Sequence, residues 1–239
     1  MDTVITSVPT APRARLRLGY GAVVLILTLL VPTLLVLGAT RLLLTEAYLQ
    51  FEYNKADFPP DHFGFTQLDR LYYGRFAIRY LMNGADSSYL GDLTFADGRP
   101  LYNARELEHM MDVKLVLQAA MWALLIGGVL FVAMAALLVR SPAGRDALRW
   151  GLMNGAALLL VVLGGLVVYV VLAWDHFFDT FHGLFFSEGS WTFDFSDTLI
   201  RLFPIRFWQD AAITVGVISA AGAIVVLILT SRWKGRAAG

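Results

Sequence analysis

Four stretches of the chain carry no charged residue and are almost wholly apolar: 18–40, 115–139, 150–174 and 211–231. Each is 21 to 25 residues long, and about 20 are needed for a helix to cross the hydrocarbon core of a bilayer. Backbone polar groups in lipid must be satisfied within their own segment, so the pattern predicts four transmembrane helices. Pro32 falls inside the first and predicts a kink there. That stretch follows three arginines, but it exceeds the roughly 7–15 apolar residues of a signal-peptide core, so an uncleaved span is expected.

The two long segments between spans have their own pattern. In 41–114, Thr66 with Asp69 three residues on marks a helix start, and Asn83-Gly84 marks its end. Leu68, Leu71, Tyr72, Phe76, Ile78 and Leu81 alternate there with Arg70, Arg75 and Arg79, the pattern of an amphipathic helix at a membrane interface. Residues 93–101 read as a short β-hairpin about Asp97-Gly98, with Pro100 confining the second arm to an edge. Asn103 and Glu106 form a capping box for a helix that runs straight into the second span. In 175–210 the third helix is expected to continue past His182 until Gly183 or Gly189 breaks it. A short element then begins at Asp197-Thr198-Leu199-Ile200, and Trp208 sits where an interfacial anchor would.

Charge assigns sides to this layout. The chain is neutral overall, with 19 basic and 19 acidic residues. Segments 1–17, 140–149 and 232–239 hold 9 of the basic residues against only Asp2 and Asp146, whereas 41–114 and 175–210 hold 10 basic and 17 acidic residues. The positive-inside rule therefore predicts cytoplasmic termini and places both long segments outside the cell membrane. Composition agrees: 57% of residues are hydrophobic, 16% are charged and mean hydropathy is +0.62, against about 25% charge in soluble domains. There is no cysteine, which excludes a disulfide scaffold and a thiol nucleophile. The absence of a basic field argues against nucleic acid as a partner.

The outer segments hold all four histidines and 24 of the 31 aromatic residues. An aromatic belt explains a handful of these, but not Phe177, Phe178, Phe181, Phe185, Phe186, Trp191, Phe193 and Phe195 in one short run. The expected fold is therefore an all-α membrane protein, four spans beneath an extracytoplasmic, aromatic-rich cap made of the amphipathic helix and the hairpin. The cap is expected to enclose a cavity facing lipid.

Two places in that cap suit acid–base chemistry. On a helix, Glu106, His109 and Asp112 stand at i, i+3 and i+6, about 60° apart, so a carboxylate can orient the imidazole. Asp179 and His182 repeat the i, i+3 relation. Ionisable groups at a membrane boundary are functional candidates by default. The plainer alternative for His109 and for His182 is an interfacial histidine satisfied by water or a backbone carbonyl; His176 suits the interfacial band and His62 a turn. No Gly-rich phosphate loop or Gly-x-Ser-x-Gly elbow is present, and Ser187 and Ser190 have no specific spacing. His109, His176, His182 and Asp179 could supply metal ligands, but not at a recognised ligand spacing, so no metal and no cofactor is expected. Arg201 and Arg206 could hold a phosphate or a carbonyl, or merely anchor the helix end.

The run Asn103-Ala104-Arg105-Glu106-Leu107-Glu108-His109-Met110-Met111-Asp112-Val113-Lys114 resembles the signature of small bacterial four-span membrane proteins that include the lipoprotein intramolecular transacylases (Lit). Phe181-His182-Gly183-Leu184-Phe185-Phe186, Trp191-Thr192-Phe193 and Leu199-Ile200-Arg201-Leu202-Phe203-Pro204 resemble its second signature. The resemblance implies catalytic histidines at His109 and His182 in the bacterial plasma membrane, and a diacylated lipoprotein as substrate. It implies transfer of the sn-2 acyl chain of the diacylglyceryl-cysteine to the α-amino group of that cysteine, giving the lyso form. Either histidine could be base or acid. Glu106, Asp112 and Asp179 are then expected to orient the rings, and Arg201, Trp191, Phe185 and Phe186 to contact substrate. The competing reading is a non-catalytic membrane subunit whose aromatic cap binds lipid or a partner protein. A channel is disfavoured because the spans show no charged path.

Overall fold

The computed structural model describes residues 11–233, and side chains from residue 19 onward. The side chains of Arg13, Arg15 and Arg17, and all of Lys234 and Arg236, lie outside what is described. Among the described residues the chain is all-helical, with nine helices and no named strand.

Four helices are long and apolar enough to span a membrane: α1 (Ala11–Leu43), α5 (Ala104–Leu138), α6 (Pro142–Leu172) and α9 (Ile205–Arg232). α1 continues through Pro32 without a break. It packs against α6 and α9 at glycines. A Cβ at Gly151 would lie 2.5 Å from Leu27 Cβ, at Gly155 2.8 Å from Val31 Cβ, and at Gly222 2.9 Å from Leu35 Cδ2. Without side chains there, the helices approach closely enough for dispersion contacts to hold them where lipid supplies no hydrophobic drive. A proline nitrogen cannot donate to the carbonyl four residues back, and that carbonyl, Thr28 O, is the one Gly155 approaches. The outward faces, such as Val129, Val161 and Leu229, stay exposed, as lipid-facing surfaces do.

The remaining helices build a head on one end of this bundle: α2 (Glu46–Tyr53), α3 (Gln67–Met82), α4 (Ser88–Gly91), α7 (Trp174–Phe185) and α8 (Thr198–Leu202). The two long segments share one core. Tyr53 and Leu49 of α2, Tyr80 of α3, and Leu101 and Tyr102 before α5 meet Leu202, Phe203 and Phe207 of the second segment. Tyr53 Oη donates to the Leu202 carbonyl at 2.7 Å. Arg70 donates to the Arg201 carbonyl at 2.8 Å and the Pro59 carbonyl at 2.6 Å.

Both expected capping boxes form, Thr66 with Asp69 and Asn103 with Glu106, and α5 runs without interruption into the second span. Three expectations change. The hairpin reduces to one antiparallel bridge, Thr94 with Pro100, flanked by Phe95 N–Arg99 O and Leu101 N–Leu93 O at 2.8 Å each. Proline has no N–H, so the ladder cannot extend. The link 140–149 is mostly helix: Ser141 caps α6 and Pro142 occupies its first turn. The third helix does not continue past His182. It breaks at Ala173 (φ −149°, ψ 55°), and Gly183 lies within α7. At that break Tyr169, Trp174 and Phe177 pack ring against ring. Gly189, at φ 81°, makes a turn beyond α7. Helix α2, which the sequence pattern did not single out, starts at Thr45, whose hydroxyl accepts from Tyr48 N.

Candidate active site

His109 lies in the second turn of α5 and His182 near the end of α7. The fold brings them face to face, ring centroids 6.4 Å apart and planes 25° from parallel. Phe186 packs against both, 5.0 Å from the His109 ring and 5.8 Å from the His182 ring. Phe193 closes the His109 side at 5.3 Å. Phe178 and Trp191 flank His182 at 4.0 and 4.9 Å. His109 is 9% exposed, and its Nδ1 is buried with no hydrogen-bond partner.

His182 Nδ1 lies 2.8 Å from the Phe178 carbonyl. A carbonyl has no proton to give, so Nδ1 donates, and in the neutral ring Nε2 keeps its lone pair free. Burial lowers the His182 pKa, against the opposing pull of the Phe178 bond and the Asp179 carboxylate. The ring is thereby held in its neutral, proton-accepting form.

The carboxylates do not sit where helical spacing suggested. Glu106 is 1% exposed, but it does not hold His109. Its Oε2 accepts from Asn103 N at 2.8 Å and its Oε1 from Leu199 N at 2.6 Å. It thus ties the start of α5 to α8 and joins the two signature segments. Its burial raises its pKa while these backbone donors oppose the rise. Asp179 is exposed, and the Phe178 carbonyl occupies the position expected for it at the His182 ring. Asp112 is half-buried and makes no bond to His109 among the described residues.

Arg201 does not reach into the site either. Its guanidinium donates to Asp61 at 3.1 and 3.2 Å and to the Phe63 carbonyl at 3.1 Å, and lies 3.8 Å over the Phe65 ring. It is a strut between the two segments. Phe186 and Trp191 do line the histidines, whereas Phe185, 48% exposed, packs on Phe181 and Phe186 at the outer edge. His176 stands apart against Tyr169, and His62 is exposed in its turn.

Two neighbours of the site escaped the sequence pattern. Arg105 lies 5.5 Å over the Phe193 ring and pairs with Asp197 at 3.2 Å. Asp197 also accepts from Asn103 Nδ2 at 3.1 Å and Asp194 N at 2.9 Å. The only sequence signal for this clamp is the Asn103-x-Arg105 start of the first signature, which gives no hint of a partner 92 residues away.

Comparison with known proteins gives these likenesses among others. A family model described as lipoprotein intramolecular transacylase Lit matches residues 23–208. A protein of Aquifex aeolicus (strain VF5), described as uncharacterized, is 29% identical over 204 residues, 85% of this chain and 90% of that protein. The solved structure of the membrane integral lipoprotein intramolecular transacylase Lit from Bacillus cereus matches with a TM-score of 0.62 at 18% identity, over 89% of this chain and 94% of that one.

Proposed function

The chain belongs to the lipoprotein intramolecular transacylase family Lit, and from that premise we propose that it catalyses an O-to-N acyl shift on a diacylated lipoprotein. The sn-2 acyl chain leaves the glyceryl oxygen of the N-terminal diacylglyceryl-cysteine and joins the α-amino nitrogen of the same cysteine. The observation that carries this reading is the pairing of His109 and His182, 6.4 Å apart, inside an aromatic enclosure.

The amine nitrogen attacks the ester carbonyl and forms the C–N bond of an amide. The C–O bond to glycerol breaks, the amine loses one proton and the leaving alkoxide gains one. An α-amine titrates near 7.7–8.0, so a fraction is neutral at pH 7. The free Nε2 of His182 supports its assignment as the base that takes the amine proton. Burial lowers the His109 pKa to about 4, so His109 starts neutral. The proton that reaches the glyceryl oxygen is the one the amine gave up, passed on through the imidazole pair. Both reacting groups belong to one molecule, so positioning alone supplies much of the rate and no acyl-enzyme is required. An enclosure of Phe178, Phe186, Trp191 and Phe193 disfavours water, which would otherwise hydrolyse the ester.

The same reading orients the protein in the membrane. Segments 1–17, 140–149 and 232–239 face the cytoplasm, and 41–114 and 175–210 face outward, where lipoproteins reside. Cysteines introduced at 90–98 should label from outside and those at 145–147 should not; the reverse would overturn the orientation.

Tandem mass spectrometry of a purified diacylated lipoprotein incubated with the enzyme tests the reaction. Total mass should stay constant while one chain moves from oxygen to nitrogen, with chelator present and no added acyl donor. A mass gain, or dependence on phospholipid as donor, would sink the proposal.

A further inference from the structure

Away from the histidines, a cavity of about 230 Å³ lies between α2 and α3, lined by Glu46, Leu49, Gln50, Leu71, Tyr72 and Arg75. Its two charged groups differ. Glu46 is already paired, with Oε1 2.6 Å from Arg79 Nη2. Arg75 has no carboxylate at ion-pair distance among the described residues, and its Nε is buried without a hydrogen-bond partner. The other arginines of the head all have acceptors: Arg70 two carbonyls, Arg99 Asp97, Arg105 Asp197, Arg201 Asp61, Arg206 Asp57 and Asp210.

Arg75 is nevertheless held in place. Its guanidinium lies 4.4 Å over the Tyr72 ring and 5.2 Å over Phe76. Nε faces the protein, so the terminal Nη groups are the donors left for a ligand. A guanidinium fixed on aromatic faces, with those groups unpaired among the described residues, is preorganised for the paired oxygens of an anion. The surroundings suggest which anion. α2 begins at Glu46, directly after the first span ends at Leu43, so the cavity lies close to the membrane boundary. Near it in sequence are exposed apolar residues: Leu42 and Phe51 at 60%, Leu68 at 75% and Tyr72 at 49%. Leu68, Tyr72, Arg75 and Arg79 follow one another at helical spacing along one face of α3. A face with apolar and aromatic groups beside arginines suits the headgroup level of a bilayer.

We propose that this cavity binds the phosphate of a membrane phospholipid, with Arg75 donating to its oxygens and the exposed apolar side chains resting among the lipid chains. The inference stands independently of the acyl-transfer reading, because it involves none of the residues assigned to that chemistry. The site would anchor the head at a fixed depth against the bilayer.

The test is native mass spectrometry of the full-length detergent-purified protein titrated with dioleoyl-phosphatidylglycerol. Arg75→Gln should weaken lipid binding on the order of 10-fold, as loss of a charge-assisted hydrogen-bond pair implies. Arg75→Lys keeps the charge but not the fork, so it should fall between wild type and Arg75→Gln, and it serves if the glutamine variant does not accumulate. Arg99→Gln, whose guanidinium belongs to the exposed turn, should bind as wild type does. Wild-type binding by both Arg75 variants overturns the proposal, as does an equal loss in Arg99→Gln, which would mean general charge attraction. Displacement of the lipid by an equal concentration of inorganic phosphate would make this a free-anion site and overturn the lipid assignment.

Discussion

His109 and His182 face each other from supports of opposite construction. His109 rides on α5, a 35-residue helix closed by a capping box. Around its start, Leu101, Tyr102 and Met110 are buried at 2%, 3% and 5% exposure, and Glu106 ties that end to α8. His182 rides on α7, twelve residues long, in which every residue, His182 included, is at best half-buried. Ring-on-ring contacts with Phe178, Phe186 and Trp191 hold it, and such contacts contribute about 0.5–1.5 kcal/mol each. Segments with few buried contacts open at lower free energy than a packed core. One wall of the site is therefore fixed by the head's core, and the other is a light aromatic wall.

The largest effect should fall on both walls alike. His109→Ala and His182→Ala should each lower transacylation at least about 100-fold, the scale of lost acid–base catalysis. His62→Ala and His176→Ala should retain most activity. Lipoprotein turnover measured at matched enzyme levels checks this, and near wild-type rates for both of the first pair would show that the site is misassigned.

Next come changes that damage only the fixed wall. Arg201→Gln leaves Asp61 buried without its cation, and breaking such a pair costs about 3 kcal/mol. Glu106→Ala removes a cap and the acceptor for Leu199 N, for about 1–3 kcal/mol. Both should lower the midpoint of thermal unfolding. If instead Arg201→Gln unfolds normally but raises KM, the guanidinium serves substrate after all.

The light wall should respond differently. Trp191→Ala should reduce turnover by about 10-fold through loss of ring placement, as small displacements do, while barely moving the unfolding midpoint. Hydrogen exchange in 174–195 should be faster than in 104–114. Equal protection of the two would erase the contrast between the supports.

The smallest effect concerns Asp179. Protonation of the attacking amine, at about 7.7–8.0, sets the first acid limb of the rate profile. Burial lowers the His182 pKa, so a second limb, from protonation of the ring, should lie below about 6.5. The Asp179 carboxylate raises the His182 pKa, so Asp179→Asn should move that second limb further down and leave the rate at pH 7 almost unchanged. A loss of rate at neutral pH would mean that Asp179 touches the ring during reaction.

Features set by local interactions are legible in the chain itself. Four charge-free stretches had to be helices because lipid offers no partner for an open backbone. Thr66 with Asp69, and Asn103 with Glu106, announced helix starts because a cap is made by residues three apart. The two histidines stood out because ionisable groups are scarce among so many rings. Long-range pairing is what the chain could not announce. Helical spacing put Glu106 beside His109, but a carboxylate can serve only the donors it reaches, and two backbone amides claim it, one of them 93 residues away. Arg201 finds Asp61 across 140 residues, which removes it from the site. The third helix breaks at Ala173 and not at a glycine, where rings from both sides of the break pack together. Sequence thus determined the spans, the caps and the candidate histidines, all set by interactions within a few residues. Only the tertiary fold decided that the two imidazoles meet, which wall is rigid, and which charged groups are already committed, because each of these depends on partners that folding alone brings together.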